Sequence, residues 1–237
     1  MADVNAAALS MRRIVHDIAA FEYNAVSAGP AVYTAAAGNA DRTRTRSVCR
    51  PVCTGAGADG PAALQQVNSD VIGWIAIPGT EISYPLQGDN DYYLTHTWNQ
   101  NSSAVGAIFM DCRCSADFSG FNTIVYGHRM NNGSMFAALK HYKKQDFLQA
   151  HPQVYVTNAS GTHAYSIYAA YEAALDGTAY YSAFSDETIQ KAFIDEGVSL
   201  SVIRTGAVPT VNDHILTLST CTGNGHATRW VVQAVME

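Results

Sequence analysis

Near its C-terminal end the chain reads HILTLSTCTGNGHATRWVVQAV, where an apolar run delivers Cys221 to a polar loop and Arg229 follows eight residues later. A thiol in that position has two readings. Cysteine is among the most buried residue types and can be purely structural. At the end of a strand, just before a glycine-containing loop, it can also meet a ligand as a nucleophile. Arg229 opens WVVQAV, which continues as a strand, so pairing of the two strands would return the guanidinium to the side of the thiol. There it could favour the thiolate or donate to an oxyanion forming on a carbonyl. Lysine lacks the planar fork of donors that suits this role. The plainer alternative is a surface arginine at a strand start.

A thiol acting on an acyl group also needs a proton donor for the departing amine. Eight histidines are available. His128, in NTIVYGHRMNNGSMF, is the most distinctive, because it too sits where a strand ends in a polar loop. His226, inside the Cys–Arg loop, is its rival. His16 falls on an N-terminal helical pattern, and His214 starts the strand that ends at Cys221. His96, His141, His151 and His163 occupy polar or helix-end contexts. With ordinary pKa values of ~8.5 and ~6.5, independent titration at pH 7 leaves a thiolate–imidazolium pair only ~0.7% populated, a cost of roughly 3 kcal/mol. No third residue that would orient the histidine stands out, as an asparagine does in papain-like enzymes. Slow turnover and a broad neutral-to-basic optimum follow.

These side chains must be held by something. Short apolar runs bounded by turn residues read as strands: GWIAI and EISYPL, split by Pro78-Gly79, then VGAIFMD, NTIVYGH, QVYVTN, HAYSIYAAYEA, HILTLSTC and RWVVQAV. Two helical patterns interrupt them, GSMFAALKHYKKQDFLQAH and SDETIQKAFIDEGVSL, the second with Ser185 as its expected N-cap. About eight strands with two inserted helices, and no regular βαβ alternation, predict a mainly β fold with a closed or nearly closed barrel. Thirteen tyrosines and eighteen glycines suit such a fold.

Residues 1–23 read as an amphipathic helix, with Leu9, Ile14, Val15, Ile18 and Phe21 near helical spacing. Residues 24–63 are rich in Ala, Gly, Thr and Arg without a helical or strand period. They read as a flexible linker, with a basic patch or a shifted reading frame as the other options. Residues 64–237 form the expected barrel domain. No run reaches the ~18 apolar residues of a membrane span, and no secretory signal pattern is present. A formal charge of −6 argues against a dedicated nucleic-acid binder. The five cysteines include Cys49 with Cys53 and Cys112 with Cys114. Neither spacing is that of a zinc ribbon, no disulfide framework is apparent, and no metal or cofactor is expected.

TLSTC followed by an arginine on the next strand, with YGH upstream, resembles the sortases, cysteine transpeptidases of Gram-positive bacteria. NSDVIGWIAIPGTEISYPLQGDNDYYL and GAIFMD…NTIVYGHRMNNGSMFAAL are similar to the class B branch. So is a helix inserted between the strand near Tyr171 and the one carrying Cys221. The resemblance covers residues from about Leu64 onward and implies a closed eight-stranded β-barrel with inserted helices and an N-terminal helix. It implies Cys221 as nucleophile, His128 as general acid and then base, and Arg229 as the stabiliser of the oxyanion or substrate. Tyr126, Ser219 and Thr220 would line the substrate groove. The implied reaction cleaves a C-terminal sorting motif of surface proteins through a thioacyl-enzyme. Its acceptor would be an amine of a peptidoglycan cross-bridge or a pilin lysine, at the outer face of the cell membrane. Two other readings use the same chain: a cysteine peptidase that hydrolyses such peptides, and a non-catalytic β-rich surface binding module.

Overall fold

The computed structural model describes residues 60–88, 92–223 and 227–237. The helix expected over 1–23, nearly all of the expected linker, Cys49, Cys53 and His226 lie outside the described residues. The described chain opens with helix α1 (Gly60–Gln65), whose first four residues fall within the stretch read as linker. Eight strands follow: β1 (Val71–Ala76), β2 (Ser83–Gln87), β3 (Ile108–Met110), β4 (Asn122–Tyr126), β5 (Gln153–Asn158), β6 (Gly161–Ala174), β7 (Ile215–Cys221) and β8 (Thr228–Met236). They close into a barrel in the order β1-β2-β3-β4-β7-β8-β6-β5. The fold is mainly β and eight-stranded, as the strand spacing predicts.

Two pairings in the barrel are parallel, β2 with β3 and β4 with β7. The second matters most for function. A parallel pair needs a long crossover, and here it carries β5, β6 and helix α3 (Glu187–Leu200). α3 packs against β6 and adds Phe193 and Ile194 to the apolar layer outside the barrel, and strand β7 is buried along its whole length. Side chains of alternating parity therefore enter two different apolar layers. Leu216 and Leu218 join Val125, Trp230, Val232 and Ala234 in the barrel interior. Ile215 and Cys221 join Ile124, Tyr126, Val231, Tyr180, Phe193 and Ile194 in the outer layer. A shift of register between Ile167 and Ala169 in β6 turns Tyr168, Ala169 and Tyr171 toward that outer layer.

The helical expectations need two corrections. The N-cap of α3 is Asp186, whose carboxylate accepts from the backbone N–H groups of Thr188 and Ile189. Ser185 instead donates to Asp186 Oδ2. The segment expected as one helix from Gly133 to His151 is a 3₁₀ turn run, Phe136–Lys143, followed by the short helix α2 (Gln145–Ala150). Tertiary packing overrides the helical pattern: Phe136, Ala137, Leu139 and Tyr142 are buried, and Trp230 Nε1 donates to the Leu139 carbonyl at 2.8 Å. Lys144 then adopts an extended conformation that separates the two segments.

Candidate active site

Cys221 ends β7, and the antiparallel ladder sets it directly opposite Arg229 on β8. On its other flank, the parallel ladder with β4 runs to Tyr126 opposite Ser219. It continues with the Gly127 N–H donating to Ser219 O at 3.2 Å. Carrying that register two residues further sets His128 level with Cys221. The C-terminal ends of two parallel strands and the start of an antiparallel one thus converge, with Cys221 in the middle.

All three side chains are buried, at 3%, 2% and 1% exposure for Cys221, His128 and Arg229. Burial of a guanidinium is rare unless its donors are engaged. Arg229 Nη1 donates to the Thr228 carbonyl at 2.9 Å.

His128 is oriented by a main-chain group. Its Nε2 lies 3.1 Å from the Leu94 carbonyl oxygen. A carbonyl only accepts, so Nε2 carries the hydrogen of that bond. Gly106 makes the approach possible. It has φ +62°, and a Cβ there would lie 2.6 Å from Tyr93 O, 2.8 Å from Leu94 O and 3.0 Å from the His128 ring.

Two further ties join the segments on either side of the site. Thr220 Oγ1 donates to Gly127 O at 2.7 Å. Arg129 Nη1 donates to the Thr222 carbonyl, with its guanidinium packed over Gly223, which has φ +77°. Residues 127–129 and 219–223 therefore behave as one framed unit around the histidine and the thiol.

The three residues expected to line a groove divide by face. Tyr126 and Ser219 share the face of Cys221, whereas Thr220, opposite Trp230 in the ladder, points to the barrel interior. All three are buried and hydrogen-bonded to protein groups. Tyr126 donates to Asp111 Oδ2 at 2.9 Å, and Ser219 Oγ meets the Tyr180 hydroxyl at 3.0 Å. Of the other histidines, His214 sits at the far end of β7, with Nδ1 on the Gly120 carbonyl at 3.0 Å. His96 is stacked on Tyr92, ring centroids 3.9 Å apart.

Several site residues carry no signal in the sequence. Tyr180 lies close enough to Cys221 and Arg229 for their charges to act on its phenol. Burial pushes its pKa up to about 12; Ser219 and Arg229 oppose that shift, and Cys221 adds to it. Leu94 contributes only a carbonyl. Asp111 is buried and bound by Arg113 through Nε and Nη2, at 2.8 and 2.7 Å. Burial raises its pKa, but Arg113 and the Tyr126 hydroxyl more than offset that, and the carboxyl ends below its usual range. Cys114, against the Asn122 carbonyl, is pushed up to about 11 by burial and is a poor thiolate.

Fold and strand-end geometry together define a β-barrel protein built around a cysteine, a histidine and an arginine. The family model for the sortase domain matches residues 75–237. Sortase B of Listeria monocytogenes is 38% identical over 160 residues, covering 67% of this chain and 65% of that protein. Sortase B of Staphylococcus aureus is 34% identical over 161 residues, covering 67% of this chain and 66% of the relative. The chain thus spans about two thirds of the length of either relative. The solved Staphylococcus aureus sortase B–substrate complex superposes with a TM-score of 0.71 at 31% identity, over 75% of this chain and 84% of that one. Clostridium perfringens sortase B gives 0.69 at 31% identity, over 74% and 98%. The chain belongs to the sortase family, in its class B branch.

Proposed function

We propose that this chain is a cysteine transpeptidase that cleaves a sorting-type peptide and passes its acyl group to an amine. The supporting observation is the common level and face of Cys221, His128 and Arg229 at adjoining strand ends. The Cys221 thiolate attacks the scissile carbonyl, and the electron pair moves onto its oxygen, where Arg229 donates hydrogen bonds. Protonated His128 then gives a proton to the departing amine, the C–N bond breaks, and a thioester remains. Because Nε2 is directed at the Leu94 carbonyl, Nδ1 is the nitrogen that exchanges the proton. The acceptor amine attacks the thioester, His128 takes its proton, and the thiolate leaves. Tyr126 and Ser219 shape the cleft wall, while Thr220 supports it from the interior side.

The substrate class is a C-terminal sorting motif of surface proteins, and the acceptor an amine of a peptidoglycan cross-bridge or a pilin. Work at the outer face of the cell membrane fits that chemistry. No helix among the described residues is long and apolar enough to cross a membrane. A sortase B has been solved in complex with triglycine, which makes that peptide a suitable acceptor probe.

Intact-mass measurement with sorting-type peptides of varied motif tests this reading. A covalent acyl adduct on the wild type and none on Cys221→Ala, discharged faster by triglycine than by water, is the expected result. Discharge by water alone at an equal rate would make the protein a peptidase. No adduct with any peptide would remove the catalytic reading.

A further inference from the structure

Side chains from the MDCRC stretch and the start of β4 converge on one segment, the 3₁₀ turn at Thr178–Tyr180 and the residue after it, with Ala179 and Tyr180 in the outer apolar layer. Three consecutive carbonyls of this segment are held by two side chains. Asn122 Nδ2 donates to Ala179 O at 3.3 Å and to Tyr181 O at 2.8 Å. Arg113 Nη2 donates to the carbonyl between them, Tyr180 O, at 3.3 Å.

Both anchors are themselves held. Asn122 is buried, and its Oδ1 accepts from Thr217 Oγ1 at 2.6 Å. Thr217 in turn accepts from Gln233 Nε2 at 3.3 Å, and Gln233 Oε1 accepts from the Tyr168 hydroxyl at 3.0 Å. Arg113 is fixed by the two-pronged grip on Asp111. Asp111 also holds the Tyr126 phenol, whose ring lies nearly parallel to Tyr180, 6.3 Å between centroids and 16° between planes. The result at the other end is the Tyr180 hydroxyl on Ser219 Oγ, two residues before Cys221 and on its face.

We propose that Asn122 and the Asp111–Arg113 pair are positioning residues for the cleft: they clamp the backbone of residues 179–181 so that Tyr180 stands over the Cys221–Arg229 end. A buried polar network in which every member is satisfied fixes one arrangement of the groups it joins. Here the group delivered is a side chain against the thiol-bearing strand end. A turn needed only to cover apolar core would not require side-chain donors on three successive carbonyls. The inference builds on the proposed site, but its test reads the thiol directly and needs no substrate.

The experiment is alkylation of Cys221 by iodoacetamide, followed by peptide mass mapping that separates Cys221 from the other four cysteines, Cys49, Cys53, Cys112 and Cys114. Wild type, Arg113→Ala, Arg113→Lys, Asn122→Ala, Tyr180→Ala and the Arg113→Ala/Tyr180→Ala pair are compared, with melting temperatures alongside. Tyr180→Ala and Arg113→Ala are each expected to speed Cys221 alkylation about 3- to 10-fold, and the double variant no more than Tyr180→Ala alone, the non-additivity of residues acting through one another. Arg113→Lys, which keeps the charge beside Asp111 but loses the fork, falls between wild type and Arg113→Ala. Arg113 is 28% exposed at its side chain, so its variants keep the test open if Asn122→Ala does not fold. Alkylation at the wild-type rate in folded Arg113 variants would overturn the proposal. Additive effects in the double variant would do the same. Failure of the proposed function would show instead as an absent acyl adduct in the wild type, whatever the alkylation rates.

Discussion

Arg229 has a burial that packing alone does not explain. It is almost wholly enclosed, and a charge taken out of water is costly unless it is used. Its position opposite Cys221 suits a donor to developing negative charge, where the planar fork matters more than the charge. Arg229→Lys should therefore lower the rate of thioacyl formation by about 10²- to 10³-fold, with a smaller change in KM. Single-turnover mass measurements check this, and an unchanged rate would remove Arg229 from the reacting centre. Gly106 acts at the same scale from outside the reacting atoms. Gly106→Ala puts a methyl against the Leu94 carbonyl and the His128 ring at a left-handed φ. Misplacing the imidazole should slow acyl transfer by on the order of 10²-fold. Tyr142, buried in the core with its hydroxyl donating to the His151 carbonyl, offers a contrast: changes there should act through the melting temperature.

The β4–β7 pair is the element that makes a site out of separate residues. Its strand ends are tied by Gly127 to Ser219, Thr220 to Gly127 and Arg129 to Thr222. Thr220→Val removes one tie and leaves a buried carbonyl without that donor, costing about 1–3 kcal/mol and slowing acyl transfer as the histidine loosens. Asp186→Ala, at the N-cap of α3, should lower the melting temperature modestly, with acyl transfer per folded molecule unchanged. Comparing melting temperature and rate for the two variants separates a framing element from a merely covering one. The eight strands are legible in the sequence because apolar runs bounded by Pro, Gly and Asn report strands locally. Cys221, His128 and Arg229 stand out because each sits where such a run meets a polar loop. The parallel register that levels His128 with Cys221 is not legible, since it depends on a crossover of nearly ninety residues, from Tyr126 to Ile215. Nor is the orienting partner of His128, because a main-chain carbonyl has no residue type to read. Ser185 misleads as a cap because Ser and Asp stand side by side and both suit the position. Thr220 reads as a groove residue because adjacency in TLSTC says nothing of face until the register is known.

At the scale of the whole molecule, the site lies between two apolar layers, the barrel interior and the coat formed with α3 and the 178–180 turn. What crosses from one wall of the coat to the other is polar, and the Asp111–Arg113 pair is its ionised part. That gives global stability a defined acid limb. Burial alone would raise the Asp111 pKa, but Arg113 and Tyr126 leave it below its ordinary value, while the unfolded carboxyl titrates near ~4. A carboxyl whose folded pKa is depressed stabilises fully above the unfolded value and loses that contribution as pH falls through the folded one. Asp117, Asp186 and Glu237 are lowered as well, but they are exposed or nearly so and their share is screened. Asp111→Asn keeps the size of the side chain and removes the titration. It should lower the melting temperature at neutral pH, since the Arg113 charge loses its partner, and flatten the decline of stability below about pH 4. Thermal unfolding across about pH 2 to 7 decides it: two parallel curves would show that the acid limb belongs to other carboxyls, and converging curves that this one pair carries it.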